Sequence, residues 1–166
     1  MNVRSQLVFL ALAALSTSAR AQEVHMRESD VSPAIRAYVS EHCNQAKRLR
    51  YFKETESGQQ FIEVEFVEDH REQSIKFLND ALYETEVEIA FDDIELTTKQ
   101  RIESELQKLY THYKIIECQE VNRATKPHIE IEVRGSKNHY FELLFDQAGN
   151  LVHQSEINVK PIPNQF

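Results

Sequence analysis

Glycine and tryptophan are scarce in this sequence of 166 residues, which has three glycines and no tryptophan. Gly58, Gly135 and Gly149 stand singly among turn-forming residues, so no Gly-rich loop that could cradle a phosphate is present. Positive charge is also scarce, since 19 Lys and Arg face 27 Asp and Glu and the formal net charge is −8. A nucleic-acid-binding protein needs a surplus of basic residues on one face, so the composition argues against that class.

Long apolar runs are missing except near the N-terminus. Arg4 precedes an apolar run from Leu7 to Leu15, and Ala19-Arg20-Ala21 supplies the small residues that a signal peptidase reads. The run is shorter than the roughly 20 residues that span a bilayer, so we expect no stable membrane insertion. We expect cleavage after Ala21 and a periplasmic or secreted chain, in which 17 basic and 27 acidic residues leave a net charge of −10.

An offset of 67 to 68 residues relates two parts of the remaining sequence. The run from Phe61 to Val67 aligns with that from His128 to Arg134, and the run from Ile75 to Phe77 aligns with that from Leu143 to Phe145. The predicted organisation is a signal peptide at 1–21, an N-terminal extension at 22–30, a first repeat at 31–91, a second repeat at 96–158 and a C-terminal tail at 159–166.

Each repeat is predicted to open with a helix and to continue with four strands. Ser32 can cap the first helix with Pro33 in its first turn, and Thr97 with Gln100 forms a capping box for the second. Period-two alternation predicts strands near residues 46–55, 59–68, 73–79, 82–91, 114–123, 127–134, 138–146 and 150–158. The predicted fold class is α+β, with two tandem helix-plus-antiparallel-meander repeats that form one sheet with the helices on one face.

The run from Phe145 to Leu151 reads Phe-Asp-Gln-Ala-Gly-Asn-Leu, a "Phe-Asp-x-x-Gly-x-hydrophobic" hairpin. Together with the duplicated plan, it resembles the PepSY-like, β-lactamase-inhibitor-like family of exported bacterial proteins over residues 31–158. The resemblance implies a periplasmic or secreted, non-enzymatic module whose relatives are associated with inhibiting peptidases or β-lactamases. The corresponding run from Phe77 to Leu82 lacks the glycine, and no inhibitory residue of the family carries over to a position here.

Glutamates alternate with apolar residues in corresponding strands of the two repeats. Glu63 and Glu65 in one repeat, and Glu130 and Glu132 in the other, are each two residues apart and so share a strand face. We expect these four carboxylates on one wet, flat or convex sheet face, opposite the helix-covered core. That face has two interpretations: a docking surface for a basic protein partner, or an ordinary solvated surface that serves solubility.

No residue set points to a metal, a cofactor or catalysis. His128, Glu130 and Glu132 share a predicted strand face, but same-face residues stand about 7 Å apart, which is far for joint coordination of one ion. The sequence has no Gly-x-Ser-x-Gly elbow, and carboxylates on a wet face lack the cleft that would separate their pKa values. We therefore expect no metal, no cofactor, no catalytic residue and no enzyme activity.

The two cysteines leave two arrangements open in an oxidising compartment. Cys43 is predicted at the end of the first helix and Cys118 in the first strand of the second repeat. A disulfide between them would tie the repeats together and, in the chain-entropy model, stabilise the fold by roughly 4 kcal/mol. Two separate buried thiols fit the sequence equally well.

The sequence favours an exported, non-enzymatic binding module that recognises a macromolecular partner through its sheet face or its loops. Inhibition of an extracytoplasmic enzyme is the specific form that the resemblance implies. The alternative is a small-ligand carrier with a cavity between sheet and helices. A carrier needs a cavity of about 300 Å³ or more, whereas the aromatic residues present are enough to fill the core.

Overall fold

The computed structural model describes residues 24–56, 58–123 and 126–157, so the predicted signal peptide at 1–21 and tail at 159–166 lie outside the described residues. The described chain forms two helices and one nine-stranded antiparallel sheet, an α+β fold. In chain order the elements are β1 (Val24–Met26), α1 (Pro33–His42), β2 (Lys47–Glu56), β3 (Gln59–Glu68), β4 (Arg71–Leu78), β5 (Ala81–Glu88), α2 (Leu96–Leu109), β6 (Lys114–Arg123), β7 (Lys126–Arg134), β8 (Tyr140–Asp146) and β9 (Leu151–Ile157).

The nine strands pair in chain order, so each strand lies beside its neighbour in sequence. Asp69 and His70 connect β3 to β4, and Asn79 and Asp80 connect β4 to β5, all four with positive φ. Such two-residue turns match the twist of the paired strands and fix their register. Strands β2 to β9 match the predicted strands to within a few residues. Strand β1, in the predicted extension, is too short to show alternation.

The helices begin at residues whose side chains accept the free backbone N–H groups of the first turn. Ser32 caps α1 as predicted, because its hydroxyl accepts a hydrogen bond from the Ile35 amide at 3.3 Å. The predicted Thr97 cap of α2 is wrong, since Glu95 accepts from the amides of Thr97 and Thr98 at 3.0 and 3.1 Å. A carboxylate there also complements the positive end of the helix dipole. Neither helix is long and apolar enough to cross a membrane.

Helix α1 packs on β3 and β4, where Ile35 meets a core cluster that includes Val64 and Phe77. Helix α2 packs on β7 and β8 in a second cluster, with Ile102 and Leu106 among its members. These core residues alternate along the strands with the glutamates of the opposite face. The two helices therefore cover the same face of the sheet.

The cysteines are free thiols in different places. Cys43 belongs to the core cluster under α1, and Cys118 belongs to the cluster under α2. The structure thus has the second of the two arrangements that the sequence left open. Burial raises the pKa of the Cys118 thiol to about 12, which keeps it protonated and unreactive.

The turn between β8 and β9 contacts α2 at Gly149, and this contact is testable. Gly149 has a φ of +79°, and a Cβ built on it would lie 2.7 Å from the carbonyl oxygen of Thr98. The Thr98 hydroxyl also donates a hydrogen bond to the Gln147 carbonyl at 3.0 Å. Gly58 is a matched control, because its φ is also +79° but nothing lies within 4 Å of the same Cβ.

We expect Gly58→Ala to destabilise the protein by about 1–2 kcal/mol, the cost of a left-handed conformation for alanine. Gly149→Ala should cost clearly more, because it adds a clash with the α2 backbone to the same conformational strain. Urea denaturation of both variants measures the difference. Equal losses would show that the turn does not press against α2.

Candidate functional site

The face of the sheet opposite the helices forms a depression of about 320 Å³. Strands from β2 to β8 contribute side chains to it, so the sheet curves around the depression, and we call this surface the concave face. Its basic lining residues are Arg48, Arg50 and Lys76. Its acidic lining residues are Glu54, Glu63, Glu65, Glu72, Glu86, Glu117, Glu130, Glu132 and Glu142. Nine carboxyl groups therefore face three cations.

The four carboxylates predicted to share a face, Glu63, Glu65, Glu130 and Glu132, all line the concave face. The expectation of a flat, wet surface is wrong, because Glu63 is only 7% exposed and the other three are half-buried. Curvature of the sheet is the cause, since it brings side chains of other strands around these carboxylates. A role for these four residues in binding a partner stays a prediction.

Lys76 is the cation around which the β2 to β5 part of the concave face is organised. Its Nζ lies 3.3 Å from Glu54 Oε2, 3.8 Å from Glu86 Oε1 and 3.9 Å from Glu84 Oε1. The Ser74 hydroxyl donates a hydrogen bond to the other oxygen of Glu86 at 2.8 Å. Burial alone would lower the pKa of Lys76, but the surrounding carboxylates hold it above its ordinary value. Lys76 is therefore a charged ammonium among three carboxyl groups, of which Glu86 has a pKa that burial raises.

Two arginines pair with carboxylates around this cluster. Arg50 Nη2 lies 2.7 Å from Glu65 Oε2, and Arg123 donates through Nε to the fully buried Glu84. Burial raises the pKa of Glu63 to about 8, although the positive charge of Lys76 opposes the rise. Glu63 thus holds its proton at neutral pH.

The β6 to β8 part of the concave face places carboxyl groups side by side. Glu132 on β7 lies directly opposite Glu117 on β6 and Glu142 on β8. Gln119 donates a hydrogen bond to Glu117 Oε1 at 2.6 Å, whereas Oε2 of Glu132 is buried and has no hydrogen-bond partner among the described residues. Burial raises the pKa of Glu132 to about 7, and it raises the pKa values of Glu117 and Glu130 as well.

Like charges directly opposite each other across strands destabilise a sheet, and a buried acceptor without a donor does the same. The row of Glu117, Glu132 and Glu142 can relieve both costs by holding protons or by receiving a positively charged group from outside.

His128 and the core bear on two other kinds of site, a metal site and a cavity between sheet and helices. The Nδ1 atom of His128 is buried without a hydrogen-bond partner among the described residues. In the part of the chain that the structure describes, no three His, Cys, Asp or Glu side chains converge in a way that could hold a metal ion. Phe77 and Phe145 are buried between sheet and helices, and the 320 Å³ depression opens on the other face.

Lys76, Glu117 and Glu142 belong to the site although alternation alone does not single them out. An offset of 67 aligns Glu63 with Glu130, and an offset of 68 aligns Lys76 with Leu144. The strand pairing adds that Lys76 lies opposite Glu63 and that Leu144 lies opposite Glu130.

One sequentially paired antiparallel sheet, with two helices on one face and a concave face opposite, defines the class of this protein. No protein-family profile and no curated protein matches the sequence. Similar solved structures include a DUF2874 family protein from Bacteroides ovatus, with a TM-score of 0.62, 12% identity, and coverage of 82% of this chain and 99% of that chain.

Two further structures share the architecture. A BLIP-like protein from Bacteroides fragilis has a TM-score of 0.58 and 15% identity, and the match covers 79% of this chain and 89% of that one. A candidate periplasmic protein from Bacteroides eggerthii has a TM-score of 0.62 and 13% identity, with coverage of 76% and 88%. Similarity at these identities shows the fold alone, which this chain shares with the BLIP-like protein and with the other two structures.

The raised pKa values make stability depend on pH in a defined direction. The folded protein keeps protons on Glu132 and Glu63 up to about pH 7 and 8, while the unfolded chain loses them near the ordinary value of 4.5. Between those limits the folded state binds more protons, so stability falls as pH rises. We expect the free energy of unfolding to be lower at pH 8 than at pH 5 by about 2 kcal/mol or more.

Urea denaturation at pH 5, 6, 7 and 8 measures this slope. Glu132→Gln should flatten it, because glutamine carries no titrating group, whereas Glu41→Gln at an exposed position of α1 should leave it unchanged. A stability that is constant or rises from pH 5 to pH 8 would contradict the burial of ionisable groups on the concave face.

Proposed function

We propose that the protein is an exported, non-enzymatic binding module that recognises a basic protein partner through its concave face. The observation that carries the proposal is the acidic lining of that face, where nine glutamates and three basic residues surround one depression. Complementary charge speeds association and excludes partners of the wrong sign. Side chains from seven strands, β2 to β8, line this depression.

Export is supported by two independent features. The N-terminal pattern with Ala19-Arg20-Ala21 is that of a cleaved secretory signal, and one of the similar structures is a candidate periplasmic protein. We therefore assign the protein to the periplasm or the extracellular space, with cleavage following Ala21.

The specific form of the function that we propose is inhibition of an extracytoplasmic enzyme. Its support is the likeness to a BLIP-like protein, together with a face that would receive a protruding basic segment of such an enzyme. That the protein is not itself an enzyme stays a prediction from the sequence, and the surroundings of the Ser74 hydroxyl agree with it. That hydroxyl donates to Glu86, which lies against Lys76, so it serves the ion cluster rather than a nucleophilic role.

We also propose that the two halves are PepSY-like copies of one unit. The order of a short 3₁₀ turn, a helix and four strands occurs twice along the chain. Positions related by the offset share burial: Ile35 corresponds to Ile102, Val64 to Ile131 and Phe77 to Phe145, all fully or nearly fully buried.

Partner capture by charge variants tests the proposed function. The quadruple variant Glu63→Gln, Glu65→Gln, Glu130→Gln and Glu132→Gln removes carboxylates from the concave face. The control variant Glu28→Gln, Glu41→Gln, Asp80→Asn and Asp93→Asn replaces the same number of acidic side chains by amides at exposed positions elsewhere. Both are used, beside the wild type, to capture partners from the periplasmic or secreted fraction of the source cells.

We expect the concave-face variant to lose at least 90% of the partner that the wild type captures, while the control retains most of it. Capture by the wild type should also weaken above about 0.15 M salt, where the screening length is roughly 8 Å. Circular dichroism checks that both variants are folded. Equal capture by the two variants would refute recognition through the concave face.

A further inference from the structure

We infer that a pocket beside the connection from β7 to β8 binds an organic carboxylate through the guanidinium of Arg134, the ammonium of Lys137 and the hydroxyl of Tyr140. We call it the turn pocket. Residues of that connection, of the adjoining strand ends and of β9 line it, and its volume is about 490 Å³, which suits a small molecule. Among the described residues, none that lines the turn pocket also lines the concave face. The inference goes beyond the proposed function and does not rest on it.

The strand register brings the strand residues of the turn pocket into one row. Arg134 on β7 lies opposite Tyr140 on β8, and Tyr140 lies opposite Ile157 on β9. Lys114 on β6 lies opposite Arg134 on its other side. Residues directly opposite each other in neighbouring strands have their side chains on the same face of a sheet. A guanidinium and a phenol therefore stand side by side at the pocket.

Tyr140 is the residue that points to a ligand. It is only 8% exposed and lines the turn pocket, yet its hydroxyl has no hydrogen-bond partner among the described residues. The hydroxyl of Tyr110, by comparison, accepts a hydrogen bond from Gln154 at 2.8 Å. A buried tyrosine hydroxyl usually has such a partner. Because Tyr140 lines a pocket, an oxygen atom of a ligand can take that place.

Two cations line the same pocket without a carboxylate beside them. Arg134 is half-buried and Lys137 is exposed, and neither forms an ion pair within the described ranges, although the chain has 27 acidic residues. Lys114 adds a further positive charge opposite Arg134. Guanidinium, ammonium and phenol groups all donate hydrogen bonds, and an oxyanion can accept from each of them. The turn pocket therefore offers donors and positive charge to an anion.

The remaining lining residues favour an organic carboxylate over an inorganic ion. Glu156 is the one acidic residue among the described residues that line the turn pocket, and its Oε1 lies 2.6 Å from His139 Nδ1. A phosphate dianion would meet more repulsion from Glu156 than a singly charged carboxylate does. Ile157 and the ring of Tyr140 add apolar surface, against which the apolar part of an organic ligand can pack.

The shared strand pairing does not require these donors. Arg134 aligns with Val67 at an offset of 67, and Tyr140 aligns with Glu72 at an offset of 68. Val67 lies opposite Glu72 just as Arg134 lies opposite Tyr140. The same place between β3 and β4 thus holds an aliphatic residue and an acid. The guanidinium and the phenol are specific to β7 and β8, which agrees with a binding role there.

Titration of the purified protein with small anions tests the inference. The probes are N-acetylleucine, its neutral amide and inorganic phosphate, and nuclear magnetic resonance of the backbone amides of Lys137 and Tyr140 at pH 7.5 follows binding. We expect N-acetylleucine to shift both amides and to bind at least tenfold more tightly than the neutral amide or phosphate. The peptide acetyl-Gly-Gly-Gly-Gly-Leu with a free carboxyl end identifies the source of the carboxylate. Equal affinity for this peptide assigns the pocket to chain termini, and binding of N-acetylleucine alone assigns it to small molecules.

Two variants and a control locate the binding. Tyr140→Phe removes only the hydroxyl and should weaken the binding of N-acetylleucine at least threefold. Arg134→Gln removes the guanidinium and should weaken it at least tenfold. Arg71→Gln makes the same replacement at an exposed position at the start of β4 and should bind as the wild type does. Circular dichroism checks that all three variants are folded.

Three results would overturn the inference: equal binding of the neutral amide, tighter binding of phosphate than of N-acetylleucine, or undiminished binding by both Tyr140→Phe and Arg134→Gln. Capture of a protein partner is measured separately with the concave-face variant. Either proposal can therefore fail while the other stands.

Discussion

A buried carboxyl group must keep its proton or find a positive charge, and this constraint governs the concave face. The protein meets it in two ways on one sheet. In the β2 to β5 part, Lys76 supplies an ammonium to Glu54, Glu84 and Glu86. Burial raises the pKa values of Glu63 and Glu86 in that part and of Glu117, Glu130 and Glu132 in the β6 to β8 part, where the position that corresponds to Lys76 is Leu144. The charge recognition that we propose follows from this imbalance.

The fold creates the imbalance by sorting residues between two faces. Apolar residues such as Val64 and Ile131 face the helices, and the glutamates beside them face the depression. A shift of one residue in register would exchange the two sets, so the two-residue turns at Asp69 and Asn79 matter for the site as well as for the fold. Curvature of the sheet then converts a row of surface acids into a partly buried lining.

Local patterns in the sequence predict much of this architecture. Alternation predicts strands β2 to β9 and the face that each glutamate shares, and Ser32 with Pro33 predicts the start of α1. The predicted start of α2 is wrong because the Glu95 carboxylate, and not the Thr97 hydroxyl, accepts hydrogen bonds from two amides of the first turn. The burial of Glu63 could not be predicted from alternation, which shows only the face of the sheet on which a residue lies. Its burial comes from the curvature of the sheet, and that curvature depends on contacts between strands far apart in the sequence. The difference between Lys76 and Leu144 gains meaning only once the strands are paired.

The most direct measurement of this account is the stability of Lys76→Met at two pH values. At pH 8 we expect a loss of about 3–5 kcal/mol, the usual cost of leaving buried charges without their partner. At pH 5 the loss should be smaller, because the carboxyl groups can then hold protons. Lys114→Met, at an exposed position of β6, should change stability by less than about 0.5 kcal/mol at either pH. A Lys76→Met variant as stable as this control at pH 8 would contradict the central role of the shared ammonium.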